Sequence, residues 1–227
     1  SLFYGTIQSA LFTLLAVYAT SMNCTILEIS IVTFLLAVSG AIAQFPIGKI
    51  SDMYDRRKVI VFSTFGAAIF SIFAILVSRQ MYLPGGLATS KTWFYIFFIL
   101  FSFCSLPMFS LILAHTNDYI SKDKFVAAGA GLQFAFGLGA MSGPFLCSIF
   151  MDLVGSNGFF VFLFFFHCII GFFGIYRMKV RQSVDNPDSQ FVAMPQTITP
   201  AGIELNPTTE HIEAVSYTHL RAHETIN

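Results

Sequence analysis

VIVFSTFGAAIFSIFAILV, residues 59–77, carries no charge and does not alternate between apolar and polar positions. A helix rising 1.5 Å per residue needs about 20 apolar residues to cross a hydrocarbon core roughly 30 Å thick, so this run has the length of a membrane span. A barrel strand would alternate over about ten residues, which this stretch does not do. Its apolar character persists around the whole helix, as burial in lipid and protein demands. Where no water can satisfy peptide groups, a helix closes its hydrogen bonds internally.

Five other stretches read the same way. The expected spans run approximately 3–22, 26–47, 58–78, 92–115, 125–151 and 158–176. Asn23, the basic loop 48–57, Pro84-Gly85-Gly86, Lys122-Asp123-Lys124 and Gly155-Ser156-Asn157 separate them. The fold class implied is an all-α membrane protein, six transmembrane helices in one bundle over residues 1–181. Bulk composition agrees: 56% hydrophobic and 11% charged residues are more apolar than a soluble domain can solvate, so lipid must cover much of the surface. Twelve basic side chains balance twelve acidic ones, so nothing suggests an electrostatic search for nucleic acid or an acidic substrate.

Charge location says more than charge total. If six spans alternate, Lys49, Arg56, Arg57, Lys58, Lys122, Lys124, Arg177, Lys179 and Arg181 fall on one side, and only Arg79 and Lys91 on the other. The positive-inside rule makes the first side cytoplasmic, with the C-terminal tail. Residues 182–215 turn to Ser, Asp, Asn, Pro, Gln and Thr, too poor in apolar surface to offset ordering entropy, so a disordered cytoplasmic tail is expected. The closing SYTHLRAHETIN, 216–227, resembles a terminal peptide found on unrelated translated sequences; it is read as an artefact, and His219 and His223 with it. Cys24, Cys104, Cys147 and Cys168 have neither paired nor ligand spacing and read as small core residues, with no metal or disulfide implied. The chain opens on Ser1 directly into an apolar segment, so the start of the gene product is expected to be missing.

Between the second and third spans stands Gly48-Lys-Ile-Ser-Asp52-Met-Tyr-Asp55-Arg56-Arg57-Lys58. This resembles the signature loop of the major facilitator superfamily, Gly-x-Leu-x-Asp-Arg-x-Gly-Arg-Arg/Lys: Gly48, Asp52, Arg56 and Arg57 match, Met53 replaces a basic residue and Asp55 a glycine. The resemblance implies that Asp52 belongs to a cytoplasmic gate and faces a helix N-terminus in an opposite bundle, where a carboxylate meets the positive end of the dipole. Ala43-Gln44-Phe45-Pro46-Ile47-Gly48 and Ala114-His115-Thr116-Asn117-Asp118 look like the second half of the YcaD-like bacterial branch. The likeness covers roughly residues 1–180 and places the first span as helix seven of twelve. It implies an inner-membrane carrier of a small solute whose N-terminal six-helix half is absent from this chain, with lipid and that half as partners.

Polar groups inside a membrane are costly, so their placement points to a pathway. Tyr4, Gln8, Leu11, Leu15 and Tyr18 share one face of the first span; Ser30, Thr33, Ala37, Gly40 and Gln44 make a stripe on the second. The fourth span offers Ser102, Ser105 and His115, and the fifth Gln133. From these, Tyr4, Gln8, Thr33, Gln44, Ser105, His115 and Gln133 are the candidate solute pathway. Ser and Thr also bond back to their own helix, and a Gln can simply join two helices. Gly139-x-x-x-Gly143-Pro144 is similar to the family's antiporter motif, but it sits on helix eleven and lacks the closing glycine pair; it reads as a packing face with a kink. His167, mid-span, reads as a neutral histidine bonding a neighbour. No cofactor is implied. If transport is proton-coupled, the titrating carboxylate lies in the absent half, or His115 serves. An intramembrane enzyme would require His-Glu-x-x-His, a Ser/His pair or paired aspartates, none of which is read in the spans. A non-transporting scaffold or sensor is the alternative.

Overall fold

The computed structural model describes residues 1–81, 88–121 and 124–180, with the single positions 191 and 193. Most of the tail 182–215, the terminal stretch 216–227 and the Pro84-Gly85-Gly86 connection lie outside the described residues. Among the described residues seven helices build the bundle: α1 (Leu2–Ser21), α2 (Ile26–Met53), α3 (Arg56–Met81), α4 (Ala88–Ser105), α5 (Met108–Asn117), α6 (Phe125–Val154) and α7 (Gly158–Val180). There is no strand among the described residues. Six units among the described residues are long and apolar enough to cross a bilayer, because α4 and α5 together make the fourth span, Thr92–Asn117. The protein is a multi-pass membrane protein.

Most helices run a few residues past the expected spans, and two departures have distinct physical reasons. Hydropathy marks where lipid ends, not where hydrogen bonding ends, so α2 continues six residues past the expected 47, through Asp52 to Met53. The fourth span is interrupted at Leu106-Pro107, where proline lacks an N–H and crowds the preceding turn. Tyr4 patches this break: its hydroxyl donates to the Leu106 carbonyl at 3.1 Å. Neighbouring helices repair an interrupted span in this way. At its start α2 is closed by a capping box, the Thr25 hydroxyl accepting the Glu28 amide and the Glu28 carboxylate accepting the Thr25 amide at 2.8 Å.

α1 packs along α6, α2 against α4, and α3 against both α4 and α7. The main core joins Ile7, Leu11, Leu36, Ala67, Phe98, Phe101 and Leu163. Near the end opposite the basic loop, Tyr18 stacks on Phe159 and meets Phe160 edge-on, both with centroids 5.1 Å apart. A second cluster, Tyr4, Ala43, Ile47, Val59, Ile60, Met108 and Phe109, lies under the basic loop. Outward stand Phe12 and Val17 of α1, Phe34 and Phe45 of α2, and Phe134, Met141 and Phe145 of α6, as lipid or another protein surface requires.

Candidate functional site

The charged end is assembled from three helices. α2 stops at Met53, Tyr54 is extended, and α3 starts at Arg56, so Asp52 and Arg56 stand four residues apart across a two-residue joint. Arg56 Nη2 lies 2.8 Å from Asp52 Oδ1 and its Nη1 lies 2.8 Å from Asp118 Oδ1. Asp118 is the C-cap of α5, an unfavourable place for a carboxylate beside the negative end of the helix dipole, and the guanidinium offsets that. Arg56 is only 7% exposed, so these contacts are far less screened than surface pairs. One guanidinium thereby ties the ends of α2, α3 and α5.

Asp55 caps α3. Its Oδ1 accepts the Arg57 amide at 3.0 Å, and its carboxylate takes Arg57 Nε at 3.0 Å and Nη2 at 2.8 Å. The Arg57 guanidinium holds the Asp55 carboxyl below its ordinary 3.8. Burial pushes the other way, and the Arg57 amide with the Arg57 and Lys58 charges adds to the lowering. An acid in place of the family's glycine is therefore accounted for: it starts the next helix. Asp52 Oδ1 also accepts the backbone N–H of Phe191 at 2.9 Å. The Phe191 ring occupies the space a Cβ would need at Gly48. Asp52 thus finds partners within this chain, where the sequence pointed only to an absent helix; Asp118, at the end of the fourth span beside Lys122 and Lys124, reads from the sequence as a cap or ion-pair residue, but neither its partner Arg56 nor Phe191 was legible as part of the site.

The expected pathway residues are not brought together. On α1 the face expected to line a pathway turns into the bundle: Tyr4 is 1% and Gln8 3% exposed, and Leu11, Leu15 and Tyr18 are buried with them. Tyr4 serves the Pro107 break, and its ring lies 6.1 Å from Phe136 of α6. Ser105 is buried too. It lies 3.0 Å from His167 Nε2, while His167 Nδ1 lies 2.6 Å from the Leu163 carbonyl. A carbonyl only accepts, so Nδ1 carries the proton and the Ser105 hydroxyl donates to Nε2. The sequence showed no Ser/His pair; the fold makes one from residues 62 apart. Both side chains are 0% exposed, so the pair joins α4 to α7 and offers no surface to a substrate. Thr33 is exposed on α2 and bonds back to Ile29 at 2.9 Å. Gln44 on α2, Gln133 on α6 and His115 on α5 are half-buried, and the His115 ring meets Tyr119 edge-on at 5.0 Å.

Gly139 and Gly143 lie against α1, where a Cβ on Gly139 would overlap the Leu2 carbonyl and one on Gly143 the Ser9 hydroxyl and Thr6 carbonyl. Gly5 is pressed in the same way on the Phe136 carbonyl, so the two backbones touch from both sides. Pro144 stays inside α6 without ending it. Among the described residues no three His, Cys, Asp or Glu side chains converge as metal ligands would.

A family model described as Major Facilitator Superfamily matches residues 1–217. An uncharacterized MFS-type transporter of Yersinia enterocolitica is 26% identical over 84% of this chain and 44% of its own length. One of Bacillus subtilis is 27% identical over 70% of this chain and 38% of its own, and one of Methanocaldococcus jannaschii 25% over 78% and 42%. The chain spans less than half the length of these curated relatives. By the family match, which takes in every helix described above, the chain belongs to the Major Facilitator Superfamily.

Proposed function

We propose that this bundle is one half of a secondary carrier that moves a small solute by alternating access, working against a second six-helix bundle. The observation that carries this reading is the Asp52–Arg56–Asp118 bridge, two 2.8 Å contacts through one largely buried guanidinium at one end of the bundle. The bridge ties the ends of α2, α3 and α5 into one unit, and a rocking carrier needs a bundle that moves as a body against its partner. The open faces of α1, α2 and α6 give the second bundle a place to sit. Of the expected pathway residues, Thr33, Gln44 and Gln133 stand where a solute between two bundles could meet them; Tyr4, Gln8 and Ser105 face inward and are left out. The one-sided basic charge supports placing the bridge on the cytoplasmic side of a bacterial inner membrane, with the C-terminus there as well.

A test needs no known solute. The chain, freed of its four cysteines, is co-expressed with the first half of a relative, and single cysteines at Thr33 and Gln44 are reacted with a membrane-impermeant maleimide from each side. Alternating access predicts labelling from both sides, with Asp52→Asn shifting the ratio between them. Labelling from one side only, unchanged by Asp52→Asn, would instead fit a scaffold or sensor.

A further inference from the structure

Beside the bridge, and distinct from it, a cavity of about 230 Å³ opens between α3, the α5 end with its following turn, and α7, lined by Arg57, His115, Thr116, Tyr119, Ile120 and Arg177. We propose that this cavity binds a phosphate group, carried on a phospholipid headgroup or free in solution. Two guanidiniums and no carboxylate line it among the described residues, which selects for an anion. Tyr119 adds a hydroxyl, whereas the Thr116 hydroxyl donates to the Ile112 carbonyl at 2.9 Å, and a planar guanidinium fork matches the oxygens of a phosphate better than a point charge does.

The cavity's depth and the state of its charges both support a ligand. Arg57 stands two residues before the apolar run 59–77 and Arg177 in the last turn of α7, so both mark the level where lipid tails give way to headgroups. Basic pockets between spans at that level are suited to headgroup phosphates. A basic residue in a last turn is favoured by the helix dipole, which accounts for Arg177 being cationic but not for its meeting Arg57 and Tyr119 around one space. Arg57 is paired with Asp55, whereas Arg177 makes no ion pair among the described residues. The volume is several times the roughly 30 Å³ share of one water, enough for a phosphate with part of its ester. α1 and α2 contribute nothing to the lining, so this site stands apart from the faces proposed for solute.

Native mass spectrometry of the full chain in detergent tests this with phosphatidylglycerol, inorganic phosphate and diacylglycerol, which lacks the phosphate. The first phosphatidylglycerol is expected to bind at least tenfold more tightly than diacylglycerol, and Arg177→Gln to abolish that difference with the thermal midpoint unchanged. Displacement by millimolar inorganic phosphate would identify free phosphate as the ligand; resistance to it would identify the lipid. Equal binding of diacylglycerol and phosphatidylglycerol by the wild type overturns the proposal without any variant, as does an Arg177→Gln protein that keeps the preference.

Discussion

The α1–α6 seam and the charged end of the bundle hold their helices by opposite means. Along the seam, Gly5, Gly139 and Gly143 remove side chains so that one backbone lies on the other, and the attraction is dispersion over a dry surface. At the charged end, Arg56 reaches across a gap to two carboxylates, and the attraction is directional and electrostatic. Close packing has no alternative partner and tolerates no added atom. An ion pair can trade its partner for water or another charge, which suits it to a place that opens.

Substitutions separate the two. Gly143→Val inserts atoms where the Thr6 carbonyl already lies, and should cost about 3 kcal/mol or prevent the bundle from forming, read as loss of the thermal transition in detergent. Arg56→Gln leaves Asp52 and the 11% exposed Asp118 without their shared cation and should cost about 2 kcal/mol, with a matching fall in Tm. Tyr4→Phe removes the hydroxyl that serves the Leu106 carbonyl and should cost about 1 kcal/mol with helix content unchanged by circular dichroism. Asp55→Ala removes the α3 cap, also at about 1 kcal/mol near neutral pH. Because the folded protein lowers the Asp55 pKa, its contribution is present above the ordinary 3.8 and lost as pH falls through the lowered value. The difference in Tm between wild type and Asp55→Ala should therefore be flat from pH 7 to about pH 5 and shrink below about pH 4. Gly137→Ala, with nothing within 4 Å of the new carbon, should raise stability by about 0.5 kcal/mol or leave it unchanged. A large loss there would show that the seam is wider than the contacts at Gly139 and Gly143.

The six spans were legible because hydropathy measures the property that selects them. The interruption at Pro107 was not, since Leu106 and Pro107 sit inside an apolar window and neither Pro46 nor Pro144 breaks its helix. Helical spacing grouped Tyr4, Gln8, Leu11, Leu15 and Tyr18 onto one face correctly; what spacing cannot give is the direction in which that face points. A polar side chain that avoids lipid can line a pathway or bond a neighbouring helix, and Tyr4 and Ser105 do the second. The basic loop stood out by its local spacing. Asp118 stood out as a span-end carboxylate, but its pairing with Arg56 did not, because the contact joins residues 62 apart and chain order carries no trace of it.

Only Tyr54 and Asp55 separate α2 from α3. So short a link gives the two spans no separate choice of depth when they enter a bilayer during synthesis: they must thread in as a hairpin, and an error of one turn in either would drag the other with it.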